Sequence, residues 1–193
     1  MSLEFAILGF LNYQPYTGYD LKKIFDTSVH HFWPADQSQI YRTLARLTAQ
    51  GLVEVERVPQ EDRPDRKVYT ITDAGRTELR RWLVGPPPLE GPRSAPLIQV
   101  FFAGQLSDAE VLTKFEGFAE LMRASLAQYE QIPGRAVPFR REIDSQREDF
   151  FWNLTLDNGI RNLRANLEWA EDVIGQLKAG KAPPQNPRSR NND

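Results

Sequence analysis

Ser38, Arg42, Ala45 and Ala49 fall on one side of any helix built from residues 34–51, PADQSQIYRTLARLTAQG, flanked by Tyr41, Gln39 and Arg46. Hydroxyl and guanidinium groups near the start of such a helix can reach base edges or phosphates, and the alanines further along would let the backbone come close. The rest of the segment supplies the helix that would present them. Asp36 can cap its start, and Gln39, three residues on, can reach back to the capping residue's own amide. Ile40, Leu44 and Leu47 then recur at spacings of four and three, a stripe that faces a core. Taken alone, this is the pattern of any amphipathic surface helix. Its neighbours in the chain give the polar side its meaning.

After Gly51 the period changes from helical to two. Leu52 to Val58 (LVEVERV) and Lys67 to Thr72 (KVYTIT) are short alternating runs separated by PQEDRPDR, and read as a two-stranded hairpin with a long, charged tip. Upstream, Leu3 to Leu11 is apolar nearly all round, and Gln14 to Gly18 breaks that first helix. Thr17 can cap a second helix whose inner stripe is Leu21, Ile24 and Phe25. Thr72 can cap a fourth, with Leu79, Trp82 and Leu83 inward. Three helices, a hairpin and a helix are the layout of a winged helix-turn-helix, whose hairpin tip can lie over phosphates or enter a minor groove.

Four pieces in this order, LEFAILGFL, TGYDLKKIF, WPADQSQIYRTLARLTAQGLVE and RKVYTITDAGRTELRRWL, make residues 3–84 resemble the N-terminal domain of the PadR family of bacterial transcriptional regulators. The resemblance implies that Tyr19 and Lys22 support or touch the DNA backbone. It implies that Gln37, Ser38, Gln39, Tyr41 and Arg42 form the reading face, that Arg46 binds phosphate, and that Arg63, Arg66 and Lys67 belong to the wing. Net charge gives this no help. The chain carries −2, and residues 1–84 hold eleven Lys or Arg against eleven Asp or Glu. What counts is where the cations sit.

Residues 85–96 (GPPPLEGPRSAP) read as a stiff linker. Beyond a short apolar stretch, Leu97 to Ala103, Ser107 and Glu110 form a second capping box. It opens a long helix lined by Val111, Phe115, Phe118, Met122 and Tyr129. The last helix is expected from about Phe139 to Ala179. It carries Leu156, Ile160, Leu163, Leu167, Ala170, Ile174 and Leu177 at alternating spacings of four and three, a heptad seam. Phe150, Phe151, Trp152, Trp169 and Val173 widen the seam beyond what one neighbour covers. A hairpin with the preceding long helix would bury part of it, and a second copy of the chain the remainder. The dimer contacts are therefore expected at Phe151, Trp152, Leu156, Ile160, Leu163, Leu167, Ile174 and Leu177. Larger members of the resembled family carry a C-terminal helical dimerisation domain.

The fold expected is mainly α: an N-terminal winged helix-turn-helix (1–84), a linker (85–96), a coiled-coil-like dimerisation and effector domain (97–180) and a disordered tail (181–193). With no cysteine, no helix-spaced partner for His30 and His31, and no glycine loop between strand and helix, neither a metal, a cofactor nor a catalytic centre is expected. Glu142, Asp144, Glu148 and Asp149 alternate with arginines, as on a solvated helix face. The opening MSLEFAILGFLNYQ lacks a basic lead and reads as a core helix in place of a signal peptide, and no run spans a bilayer. The expectation is a soluble, cytoplasmic, homodimeric regulator, a repressor in preference to an activator. It would bind a pseudo-palindromic operator in double-stranded DNA and respond to a small-molecule effector of unknown identity. The alternative is a winged-helix module that docks a protein without specific DNA binding.

Overall fold

The computed structural model describes residues 2–30, 32–59, 66–86, 94–135 and 137–184. Its elements in chain order are α1 (Ser2–Tyr13), β1 (Tyr16–Thr17), α2 (Gly18–Thr27), α3 (Gln37–Ala49), β2 (Val53–Val58), β3 (Arg66–Ile71), α4 (Asp73–Val84), α5 (Ala95–Phe101), a 3-10 turn (Ala103–Gln105), α6 (Asp108–Glu130), α7 (Ile132–Arg135), α8 (Val137–Ile143) and α9 (Gln146–Lys178). They form two compact units, Met1–Pro88 with Ile132–Asp149, and Leu89–Gln131 with Phe150–Asp193.

The first unit is a winged helix-turn-helix. Ile7, Leu8 and Leu11 of α1, Leu21 and Phe25 of α2, and Ile40, Leu44 and Leu47 of α3 are each at most 1% exposed. Burying a side chain of this size contributes about 1.5–3 kcal/mol, so this stripe-on-stripe packing fixes the three helices against one another. The sheet has the order β1-β3-β2, antiparallel throughout, with Val53 opposite Ile71 and Tyr16 opposite Tyr69. Strand β1 has no signal in the sequence. Two residues carry no readable period, and only pairing with β3 makes them a strand.

The helix ends follow local chemistry. Asp36 accepts from the Gln39 amide at 2.7 Å, and the Gln39 side chain accepts from the Asp36 amide at 3.0 Å, closing the expected capping box. At the other end of α3, Gly51 adopts φ +70°, a conformation that costs a residue with a Cβ. Its amide reaches the Thr48 carbonyl and that of Leu52 the Leu47 carbonyl, both at 3.0 Å, a Schellman ending that turns the chain directly into β2.

The long C-terminal helix expected from about Phe139 is two helices. Asp144 takes φ 45° and ends α8, and the Ser145 hydroxyl caps α9 by accepting from the Glu148 amide at 3.3 Å. Helix α8 belongs to the first unit. Phe139 is 6% exposed, with its ring edge-on to Phe10 and Tyr13 at centroid distances of 5.7 and 6.2 Å. The Tyr13 hydroxyl donates to Glu148 at 2.7 Å, and Gln14 donates to Glu142. The boundary suggested by the Pro- and Gly-rich stretch is thus not a single cut in the chain. A segment some forty residues beyond it, α8, folds back onto α1. Most of that stretch (87–93) and most of the tail (185–193) lie outside the described residues, as does Arg63.

In the second unit α6 and α9 run antiparallel. Arg123 pairs with Glu171 at 2.6 Å and Lys178 with Glu116 at 2.9 Å, and the Tyr129 ring lies over Gly159. Phe115, Ala119 and Ala170 are buried between them, with Val111, Phe118, Leu167, Val173 and Ile174 packed around and Val100 of α5 joining from the side. The capping box at Ser107 and Glu110 forms. No helix among the described residues is long and apolar enough to cross a membrane.

Gly75, in the first turn of α4, is where two pieces of backbone touch. A Cβ there would lie 2.2 Å from the Leu52 carbonyl oxygen, which already accepts from the Thr72 amide. Because the obstructing atom is main chain, Gly75→Ala is expected to destabilise the chain by about 2–3 kcal/mol, the upper part of the overpacking range, as measured by urea unfolding.

Candidate nucleic-acid interface

Capping of α3 and burial of its apolar stripe leave its other side outward. Gln37, Ser38, Gln39, Arg42 and Arg46 are exposed, and Tyr41 is 40% exposed. Their first turn is organised by one carboxylate. The Ser38 hydroxyl donates to Asp36 at 2.7 Å, while Arg42 donates from Nε to the Ser38 carbonyl at 3.3 Å and from Nη2 to its hydroxyl at 3.5 Å. Hydrogen bonds from the Gln39 amide and the Ser38 hydroxyl hold the Asp36 carboxyl below its ordinary range, so it is ionised at neutral pH near Arg42. A cation one turn into the helix is thereby kept extended along its outer face.

The neighbouring cations are placed differently. Arg46 forms an ion pair with Glu4 of α1 at 2.5 Å, and Glu4 is only 15% exposed at its side chain. Lys22 pairs with Asp26 one turn on in its own helix. Arg66 donates to Asp20 at 3.2 Å; Asp20 also receives the Thr17 hydroxyl at 2.6 Å. Burial works to raise the Asp20 carboxyl, but the bonds from Thr17 and Arg66 outweigh it and hold it below the ordinary value. Tyr19 stands out from α2, 68% exposed.

Lys67 is exposed, and the ladder sets it directly opposite Arg57. Directly opposed residues of an antiparallel pair share a face, so the two cations extend the face that carries Tyr69 and Ile71. Arg57 is not among the residues that the family resemblance implies. It could have been found by following the period of two through LVEVERV, which puts Val53, Val55 and Arg57 on one face. Of the cations on α2, α3 and the hairpin, Lys22, Arg46 and Arg66 carry carboxylate partners, while Lys23, Arg42, Arg57 and Lys67 have no ion pair among the described residues.

The residues expected to bind a second copy divide in two. Leu156 is buried, and Leu167 and Ile174 are packed on the Phe115–Ala119–Ala170 cluster, so part of the heptad seam is used inside the chain. Trp152, Ile160, Leu163 and Leu177 are half-buried and Phe151 is 46% exposed, beside the exposed Phe150 and Leu154. Elsewhere among the aromatic side chains, Trp82 stacks on Phe5 at 4.7 Å, and Phe101 and Phe102 are exposed on α5 and just after it. Among the described residues no group of His, Asp and Glu is arranged to hold a metal ion.

The sequence model of the transcriptional regulator PadR-like family matches residues 7–81, the span of the winged helix. That of the virulence activator alpha C-terminal domain matches residues 92–178. A Mycobacterium tuberculosis protein named as a probable transcriptional regulator is 32% identical over 188 residues, 92% of this chain and 98% of its own length. The chain belongs to the PadR-like family of transcriptional regulators. The negative transcriptional regulator PadR of Bacillus subtilis is 28% identical to this PadR-like chain over 180 residues, 91% of the chain and 97% of PadR. Its crystal structure in complex with operator DNA superposes with a TM-score of 0.78 at 26% identity, covering 92% of this regulator and 99% of that one. Its structure with p-coumaric acid superposes with a TM-score of 0.73 at 25% identity over 92% and 99%.

In this PadR-like regulator the pairing of Arg46 with Glu4 ties α3 to α1. Urea unfolding of Glu4→Gln, Arg46→Ala and the double variant should reveal a coupling of about 0.5–1 kcal/mol, the range for a partly exposed pair. Strictly additive losses would show that Arg46 is not committed to this contact.

Proposed function

We propose that this PadR-like regulator acts as a homodimeric repressor, placing two copies of α3 in the major groove of a pseudo-palindromic operator. The observation that carries the reading is the exposed row Gln37, Ser38, Tyr41 and Arg42 on a helix whose opposite stripe is wholly buried, in a chain similar over nine-tenths of its length to a regulator solved on operator DNA. In this reading Gln37, Ser38, Gln39, Tyr41 and Arg42 read bases or contact phosphates near them. Tyr19 and Lys22 support the backbone contact, Lys67 and Arg57 form a cationic side of the wing, and Arg63 and Arg66 are its other basic residues. Arg46 acts chiefly by holding α3 in place. The role is non-catalytic and belongs in the cytoplasm, with the DNA.

Repression is favoured over activation by the likeness to a negative regulator. Dimerisation is supported by the apolar surface left on the second unit: Phe150, Phe151 and Leu154 on α9, and Leu97, Ile98 and Phe101 on α5, the last 81% exposed. Two readers on a common two-fold axis would engage half-sites one turn of DNA apart, or a multiple of it. A small-molecule effector that binds one arrangement of the dimer better than another would shift operator affinity. The molecule bound in the Bacillus relative, p-coumaric acid, is the first to test.

The test begins with duplexes recovered by the wild-type chain from a random-sequence pool at low salt. The recovered sites should be inverted repeats, Arg42→Ala should weaken binding by about 10- to 100-fold, and Arg57→Ala should reduce the slope of log K against log salt by about one. Recovery of no preferred sequence would overturn the reading. In a separate measurement, light scattering at micromolar concentration should give twice the 22.2 kDa mass of the chain. A monomer would defeat the dimer without touching the DNA reading.

A further inference from the structure

Gly18 is the first residue of α2 and is buried beneath the ring of Tyr41. A Cβ built on it would lie 2.5 Å from Tyr41 Cε1, 2.7 Å from Cζ and 3.0 Å from the hydroxyl oxygen. No real side chain tolerates such distances, so the ring rests on the bare α-carbon. Tyr41 sits one residue before Arg42, on the exposed side of α3, and remains 40% exposed. Burial pushes the Tyr69 hydroxyl of β3 up, and Tyr41 adds to the effect. The ring therefore lies between the start of α2 and solvent.

We infer that Gly18 is a positioning residue for DNA recognition: the missing side chain at the start of α2 creates the seat that fixes where the Tyr41 ring stands on the reading face. The inference rests on the proposed operator reading and adds to it a residue that touches no nucleic acid. Its physical content lies in which group yields when the seat is filled. A methyl on Gly18 meets the outer edge of a side chain that can rotate, whereas a methyl on Gly75 meets main chain. Filling the seat therefore displaces the ring and leaves the fold in place. Stability and recognition separate at this position. Without the ring, alanine at a helical first position is as acceptable as glycine and restricts the unfolded chain more.

The experiment compares wild type, Gly18→Ala, Tyr41→Ala and the double variant of the full chain. Thermal unfolding is measured for each, along with titration of the duplex that wild type recovers from a random-sequence pool, at several salt concentrations. Gly18→Ala is expected to unfold within a few degrees of wild type and to bind about tenfold more weakly. Its salt slope should not change, because a tyrosine releases no counterions. Introduced into Tyr41→Ala, the same substitution should have no further effect on affinity. Wild-type affinity in Gly18→Ala, an equal loss with and without the ring, or failure of Gly18→Ala to fold would each overturn the inference while the operator reading stands. If wild type itself recovers no preferred duplex, both fall together.

Discussion

The arrangement depends on one division of a thirteen-residue helix into two sides. Ile40, Leu44 and Leu47 of α3 are driven out of water against α1 and α2, and each of them is worth enough to resist rotation of the helix about its axis. A turn of the helix by one residue, about 100°, would expose an aliphatic side chain and drag a charged one into the core. The outward direction of Ser38 and Arg42 is therefore a by-product of burial on the other side. The capping box and the Schellman ending then set where the helix starts and stops, so both the direction and the reach of the polar row are determined.

Electrostatics work within that frame. By net charge a neutral winged domain is a poor match for a polyanion, but its balance of charges hides a separation. Several carboxylates are spent on neighbouring cations: Glu4 on Arg46, Asp26 on Lys22, Asp20 on Arg66. Such pairs on a partly exposed surface add little stability, yet they determine which positive charges are compensated locally. On α2, α3 and the hairpin, Lys23, Arg42, Arg57 and Lys67 are left without an ion pair among the described residues. A sum over the sequence cannot reveal this, because it treats a paired and an unpaired arginine alike.

The second unit shows why apolar periodicity overstates an interface. The heptad seam of α9 satisfies a partner helix in its own chain through Leu167, Ala170 and Ile174, and the aromatics at its N-terminal end remain outside that contact. One stripe thus serves two demands along its length. The break at Asp144 adds to this. By ending α8 there, the chain commits Phe139 to the core of the first unit and leaves Phe150 and Phe151 to the second.

What the sequence determined by itself were features governed by nearest neighbours: the stripe of α3, its cap at Asp36, the caps at Thr17, Thr72 and Ser107, the period-two hairpin, and through them the winged layout and its family. These arise from interactions within a few residues, which any chain carrying those letters must make. Tertiary structure decided what depends on residues far apart: the pairing of Tyr16 and Thr17 with β3, the seat of Tyr41 on Gly18, the capture of Arg46 by Glu4 and of Arg66 by Asp20, and the return of Phe139 to Phe10. Distances of that kind are set by how whole elements pack. No local pattern of residue types encodes which of several equivalent arginines will find a carboxylate within reach.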